Sequence, residues 1–421
     1  MSLSPVQALA TQRVDRSGGL VRNRVLLLLW CAAAGAAFGL AFISVAPNRL
    51  VSGVGVALPA LPVQATSVLI VPAALWLLAS FMAPRRLTHS LTILAAVWLL
   101  TGLVWLAGGE AARQSAELSN IARVSLGGGF WALVVLAWLA GNDALQRLRP
   151  ALMWRTLARA AMLLPTLALL MLGHLEQLAL LKEYANRQDV FQAAWWRHLQ
   201  IVLATLVPSL LIGVPLGLAA ARSARLARPL FAVLNVIQTV PSIALFGLLI
   251  APLVWLGQAL PGSGIHGIGL LPAVIALTLY SLLPIVHGMS SGLRQVPPNA
   301  VDAATGMGMT PRQILWRVEL PLALPVLLSG LRVTTVQMIG LAVVAALIGA
   351  GGFGAIVFQG LLSSALDLVL LGVLPVVVLA MAVDALFKAI TAALPASKQV
   401  QAQAQVKGQL QVQVQGQAQA R

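Results

Sequence analysis

Charge is scarce in this 421-residue chain: Asp, Glu, Lys and Arg together make up 9% of it, against about a quarter in ordinary globular chains. That excludes a water-soluble surface of normal composition and makes lipid the solvent for much of the exterior. Cysteine occurs once, at Cys31, so no disulfide can form within the chain and no thiolate metal site can be built. The five histidines, His89, His174, His198, His266 and His287, lie at no i,i+3 or i,i+4 spacing from one another, which argues against a metal site. No G-x-x-x-x-G-K-[ST] run occurs, so the chain has no phosphate-cradling P-loop, and ATP could act here only through a partner. No Ser/His/Asp set or carboxylate pair stands at catalytic spacing. The expectation is a protein that is not an enzyme and needs no cofactor.

What the chain has in abundance is apolar residues, 59% of the total, with a mean hydropathy of +0.92. Leu, Ala and Val dominate, in long unbroken runs. A β-barrel would show ten-residue alternation instead, so the fold class expected is an all-α polytopic membrane protein. A span needs about 20 apolar residues. About ten spans are read, at 25–46, 65–83, 90–108, 126–141, 157–181, 199–221, 230–256, 267–291, 322–348 and 366–391. The first is taken as a span, not a cleavable leader, because Pro47, Asn48 and Arg49 follow it where a small-residue cleavage site would stand.

The basic residues orient these spans. With a cytoplasmic N-terminus, twenty of the 27 Lys and Arg residues fall on the inner side, six on the outer side, and Arg332 alone within a span. The formal net charge of +16 is thus spread over short inner loops. It is read as topology, not as a nucleic-acid footprint. Both termini are expected on the cytoplasmic side of a membrane that the chain crosses many times.

Several polar groups interrupt the apolar runs. Asn235, Gln238, Thr239 and Ser242 surround Pro241 in the seventh span. Backbone groups freed by a proline must find partners inside the bilayer, and two readings stay open: a kinked pathway-lining segment, or a helix–helix hydrogen-bond site. Arg332 and Gln337 lie in the ninth span. Arg332 is ten residues past Pro321, ~15 Å along the helix, where a charge faces protein or water. A pair with Asp367 or Asp384 is favoured over substrate contact. At the end of that span, Gly349, Gly351, Gly352 and Gly354 fall within six residues, which no helix tolerates well. They mark a sharp break into a short outer segment. From about Ser397 a Gln/Ala/Val tail follows, expected to be disordered in the cytoplasm.

The most informative stretch is Val301 to Pro325, VDAATGMGMTPRQILWRVELPLALP, a polar segment between two apolar blocks. Pro297, Pro298 and Asn299 end one helix and start another, with Asp302 near its N-terminus. Ala303 and Ala304 would let another backbone come close. Gly306 and Gly308 permit a turn. After Met309, Thr310 is an N-cap candidate and Pro311 the first helical residue of the next segment. Leu320 and Pro321 lead back into the membrane. Read without relatives, the stretch could equally be an ordinary connection between two spans.

The skeleton Asp302-Ala303-Ala304, Gly308, Val318-x-Leu320-Pro321 resembles the EAA loop of ABC importer permeases, with Asp302 for the usual Glu and Val318 for the usual Ile. Residues 196–392 resemble the MetI-like permease core, and IVLATLVPSLLIGVPLGLAAA, NVIQTVPSIALFGLLIAPL and ALIGAGGFGAIVFQGL resemble its osmoprotectant branch. SVAPNRLVSG, LLKEYANRQDVF and LLSSALDLVLLGVLPVVVLA are similar to permeases of the YehY type, so the resemblance runs to residue 392. It implies an N-terminal membrane region at 1–195, a permease core at 196–392 and a tail at 393–421. It also implies a coupling loop at Asp302–Pro321 that docks on a separate ATPase, a pathway near Asn235, Gln238, Thr239, Pro241, Ser242 and Gln337, and an outer face near Gly349–Gly354 that meets a periplasmic solute-binding protein. A second permease copy or a paralogue would complete the pathway. The implied cargo is glycine betaine or a related quaternary amine. With two tyrosines, Tyr184 and Tyr280, a full aromatic cage is expected in the binding protein instead of here. An ion-coupled secondary transporter and a membrane scaffold without transport activity are the alternatives.

Overall fold

The structure is a computed structural model that describes residues 21–48, 51, 53–118, 121–150 and 152–394. The Gln-rich tail lies outside the described residues. The chain divides into two compact units, Met1–Asn186 and Arg187–Arg421. The division falls nine residues before the boundary expected at 195, because one continuous helix begins at Gln188 and carries those residues into the second unit.

The first unit contains α1 (Arg24–Gly39), α2 (Val63–Phe81), α3 (Arg86–Glu117), α4 (Gly128–Arg147), α5 (Leu152–Met171) and α6 (Ala179–Asn186). Asn23 caps α1, its Oδ1 accepting from the Leu26 N–H at 3.1 Å. The first apolar run, 25–46, is not one helix. It stops at Gly39, and Ala41–Ala46 forms β1, the middle strand of a small antiparallel sheet. β2 (Val54–Ala57) pairs on one side of it and β3 (Arg123–Leu126) on the other. The sequence AFISVA, with Ile43 and Val45, suits a strand, and pairing on both sides satisfies its backbone. Phe42 and Ile43 are fully buried, and the Phe42 ring meets Phe130 edge-on at 5.7 Å. The run expected at 157–181 is likewise interrupted. α5 ends at Met171, Gly173 takes φ +75°, and His174 reaches the Trp105 carbonyl at 2.8 Å.

A continuous core joins these elements through Leu26, Trp76, Leu99, Leu103, Leu106 and Phe130. Trp76 donates from its indole N–H to the Leu26 carbonyl at 3.2 Å, so a bulky core side chain also has its polar atom paired. Beside β3, Arg123 and Glu183 form a largely buried ion pair at 3.4 Å.

The second unit contains α7 (Gln188–Arg222), α8 (Ala224–Thr239), α9 (Ser242–Ala259), α10 (Leu270–Arg294), α11 (Pro298–Gly306), α12 (Pro311–Ile348), α13 (Phe353–Leu362) and α14 (Leu366–Ala393). α10 is central and packs on α7 and α12. The contacts are close because small residues face them. A Cβ at Gly213 would press on Ile285, and one at Gly217 on Met289. Gly288 of α10 and Gly330 of α12 face each other, and a Cβ on Gly330 would sit 3.2 Å from the Gly288 Cα. The run expected at 230–256 is two helices, broken at Val240–Pro241.

Among the described residues eight helices are long and apolar enough to cross a membrane: α2, α3, α4, α7, α9, α10, α12 and α14. The molecule is thus a helical, polytopic membrane protein with a small added sheet.

Candidate functional site

The polar stretch after α10 forms a helix–turn–helix. α11 starts at Pro298, directly after Pro297, where neither proline's missing N–H is needed. Asp302 stands in the second turn of α11, not the first, so it lies one turn deeper than expected. Gly308 turns the chain with φ +77°, a conformation that is cheap for glycine alone. Thr310 then closes a capping box: its hydroxyl oxygen accepts from the Gln313 N–H at 3.4 Å, and Gln313 Oε1 accepts from the Thr310 N–H at 2.8 Å. Pro311 follows at the first helical position.

The two alanines do not act alike. Ala303 is exposed, while Ala304 is buried at 1% exposure and its carbonyl accepts from the Met309 N–H at 3.2 Å. Ala304 therefore packs the loop against itself instead of offering a bare surface to a partner. Leu320 is half-buried and Pro321 exposed, at the entry to the long part of α12. Met307 and Trp316 are 71% and 64% exposed. Sequence reasoning passed over both, although large apolar groups in a polar loop are themselves a signal for a partner. Just before α12 straightens, Leu315–Glu319 winds as a π-turn, and buried Glu319 pairs with Arg222 at the end of α7. The loop is thereby tied to the core by charge.

Further along the same helices a cavity of about 720 Å³ opens among α8, α10 and α12. Its wall carries Phe231, Asn235 and Gln238 from α8, His287, Gly288 and Ser291 from α10, and Ser329, Gly330, Val333 and Gln337 from α12. The structure brings Asn235, Gln238 and Gln337 together here. Thr239, Pro241 and Ser242 are not in the wall; the Thr239 hydroxyl donates to the Val236 carbonyl at 2.7 Å. The break at Pro241 is satisfied by α10: the Tyr280 hydroxyl donates to the Val240 carbonyl, and Gln238 Nε2 donates to the Tyr280 carbonyl at 2.7 Å. Gln238 thus serves the helix–helix bond and the cavity wall at once. His287, Phe231, Ser291 and Ser329 were missed. The signal was helical spacing: Phe231, Asn235 and Gln238 fall at i,i+4,i+7, and Ser329, Val333 and Gln337 at i,i+4,i+8.

Arg332 turns away from the wall residues to Asp384 of α14, at 3.2 Å, and Lys388 shares that carboxylate at 2.5 Å. Of the two acids considered from sequence, the pair is with Asp384.

At the other end of α12, Gly349 takes the left-handed conformation, φ +79° and ψ 15°, and stops the helix. Gly349 is exposed and Gly351 half-buried, but Gly352 and Gly354 are buried. A Cβ on Gly354 would overlap the Val343 carbonyl, so that glycine is there for packing and cannot form an outer face. α7 holds the segment in place. Arg197 Nε donates to the Ala350 carbonyl at 2.8 Å, and Phe191, Trp195 and His198 surround the ring of Phe353 at 5.3, 5.8 and 5.5 Å.

Residues 213–394 match the family described as binding-protein-dependent transport system inner membrane component. Residues 21–181 match the N-terminal domain of the ABC transporter permease YehY. The chain is 41% identical over 189 residues to an osmoprotectant import permease of Salmonella typhimurium, covering 45% of this chain and 84% of that one. A carnitine transport permease of Listeria monocytogenes is 38% identical, and a choline transport system permease of Bacillus subtilis 36%; each match covers 45% of this chain and 81% of the relative. Among solved structures, an inward-facing MetNI methionine ABC transporter is similar at 24% identity and a TM-score of 0.45, covering 49% of this chain and 97% of that one.

Proposed function

This chain belongs to the inner-membrane permeases of binding-protein-dependent ABC importers, and on that premise we propose that it forms the translocation pathway for osmoprotectants such as glycine betaine or a related quaternary amine. It is a permease subunit and performs no covalent chemistry; ATP hydrolysis belongs to a separate subunit.

The observation that carries the reading is the capped helix–turn–helix at 298–319, which presents Asp302, Ala303, Met307 and Trp316 outward and continues directly into a cavity-lining helix. In the proposed mechanism the ATPase docks on this loop. Closure of the ATPase dimer moves α12, and the cavity among α8, α10 and α12 changes its access from one side to the other. The break at Gly349 would face a solute-binding protein, with a second permease copy or a paralogue completing the pathway. Both chain termini would be cytoplasmic. A reporter active only in the periplasm, fused after Asp189, is then active, and one fused after Arg225 or Gln313 is silent.

Uptake of labelled glycine betaine tests the function. It should need the partner ATPase and the binding protein together, and persist when the membrane potential is collapsed while ATP is maintained. Uptake that survives ATP depletion but stops with an uncoupler would establish ion-coupled secondary transport instead. Strictly ATP-dependent uptake of some other cargo would leave the architecture standing and remove the substrate.

A further inference from the structure

The cavity wall has a charge pattern that bears on which quaternary amines can use it. None of its thirteen lining residues is Asp, Glu, Lys or Arg, so a bound ion meets amides, hydroxyls, an imidazole and a phenyl ring but no countercharge. The phenyl ring of Phe231 lies 6.1 Å from the His287 ring, edge to face.

The basic residues nearest the wall in sequence lie outside its lining. Each of the three cavity helices carries an arginine within one turn of a lining residue. On α8, Arg228 is three residues before Phe231; on α10, Arg294 is three residues after Ser291; on α12, Arg332 is one residue before Val333. Two carboxylates on the neighbouring helices are already engaged. Glu319 is paired with Arg222. Asp384 is shared between Arg332 and Lys388, which leaves that group with a net positive charge.

A net cation entering such a cavity loses hydration and gains no counterion from the wall. A zwitterion differs at each step. Its own carboxylate offsets its ammonium and can accept from the side-chain amides of Asn235 and Gln238, while its methylated ammonium can rest against the Phe231 ring.

Resting on the reading of this cavity as the pathway, we infer that the permease itself discriminates, accepting methylammonium compounds that carry a carboxylate and disfavouring those, such as choline, that are net cations. Selection by charge is then exerted twice, once in the binding protein and again in the membrane.

The test uses the full chain in complex with its ATPase, in nanodiscs without binding protein, with labelled glycine betaine and labelled choline as the two probes. Glycine betaine should bind at least about tenfold more tightly than choline, because choline alone is a net charge left without a counterion. His287→Glu and Gln337→Glu each place a carboxylate in the wall and should narrow that ratio about tenfold by giving the cation a partner. His287→Gln, which alters the same side chain without adding charge, should narrow it far less than His287→Glu does. Equal binding of the two probes overturns the inference, as does failure of glycine betaine to bind. So does a ratio unmoved by both carboxylate substitutions in complexes that still hydrolyse ATP. Because ATP-driven uptake is measured separately, these outcomes leave the importer reading in place, whereas loss of ATP dependence would remove that reading first.

Discussion

In the N-terminal unit α3 runs 32 residues without a proline, and its side chains join Trp76, Leu26 and Phe130 in one continuous core. In the C-terminal unit every long helix carries an internal proline, Pro208 and Pro215 in α7, Pro229 in α8, Pro252 in α9, Pro284 in α10, Pro325 in α12 and Pro375 in α14, whereas in the first unit α5 carries Pro165. There the helices meet through glycines, and a cavity of about 720 Å³ opens among them. A core filled by side chains has one packing and resists motion. Helices that contain proline and cross at glycine have few interlocking side chains to lose, which suits a unit that must move between two arrangements. The contrast predicts that the first unit acts as a scaffold and that the second moves.

The largest effect that could break this division concerns the loop proposed to dock the ATPase. Gly308 has φ +77° and open space where a Cβ would go. Gly308→Asp should insert and fold nearly normally, with backbone strain of about 1–2 kcal/mol, yet abolish uptake and ATPase co-purification. Normal uptake by a well-expressed variant would mean the loop is not where ATP is coupled.

The ion pairs sharpen the contrast. Glu183, whose side chain is 5% exposed against Arg123, belongs to the scaffold. Glu183→Gln leaves a mostly buried guanidinium uncompensated and should cost about 2–3 kcal/mol of stability, with uptake per folded molecule unchanged. Asp384 is 34% exposed, so Asp384→Asn should cost only about 1 kcal/mol once water screening is allowed for. Denaturation in mixed micelles reads both. The reverse order would mean that the C-terminal unit is the more tightly charge-locked of the two.

Glycine crossings come next. A Cβ on Gly330 meets the backbone of Gly288, whereas one on Gly102 in α3 meets only the end of the Leu69 side chain. A side chain can swing aside and a backbone cannot. Gly330→Ala should therefore cost about 1–2 kcal/mol and slow transport, and Gly102→Ala less than about 1 kcal/mol. Equal effects in the two units would dissolve the distinction drawn from packing. The most local change is Thr310→Ala, which removes the capping box and should cost about 1 kcal/mol. Hydrogen exchange confined to residues 310–314 would detect it, and protection lost throughout α12 would show that the cap holds more than its own turn.

Much of this was legible from single residues. Thr310 and Pro311 cap the second loop helix as their types require, and the glycines at 349–354 end α12 where they stand. Arg332 could be assigned a carboxylate partner, because a charge at that depth needs one. Other features were hidden by composition. AFISVA is as apolar as a span, so its strand character is lost at the end of a long run, and only pairing with two distant segments makes it β1. Ala304 looks identical to Ala303 in sequence, yet the helix turns one inward and one outward. Asn235, Gln238 and Gln337 were found by polarity, but His287 was not, since a lone histidine in an apolar run has no distinguishing neighbour until α8 and α12 fold against it.

By itself the sequence determined that this chain lives in lipid, that its basic residues are unevenly shared among the loops, that it has no P-loop motif, and that one polar stretch stands apart between two apolar blocks. Those properties follow from composition and short-range spacing, which every copy of the chain has before it folds. Tertiary structure alone decided which polar groups share a cavity, which carboxylate Arg332 meets, which glycines admit a neighbouring backbone, and where an apolar run stops being a helix. Each of these depends on atoms far apart in the chain, and their partners exist only once the helices have packed.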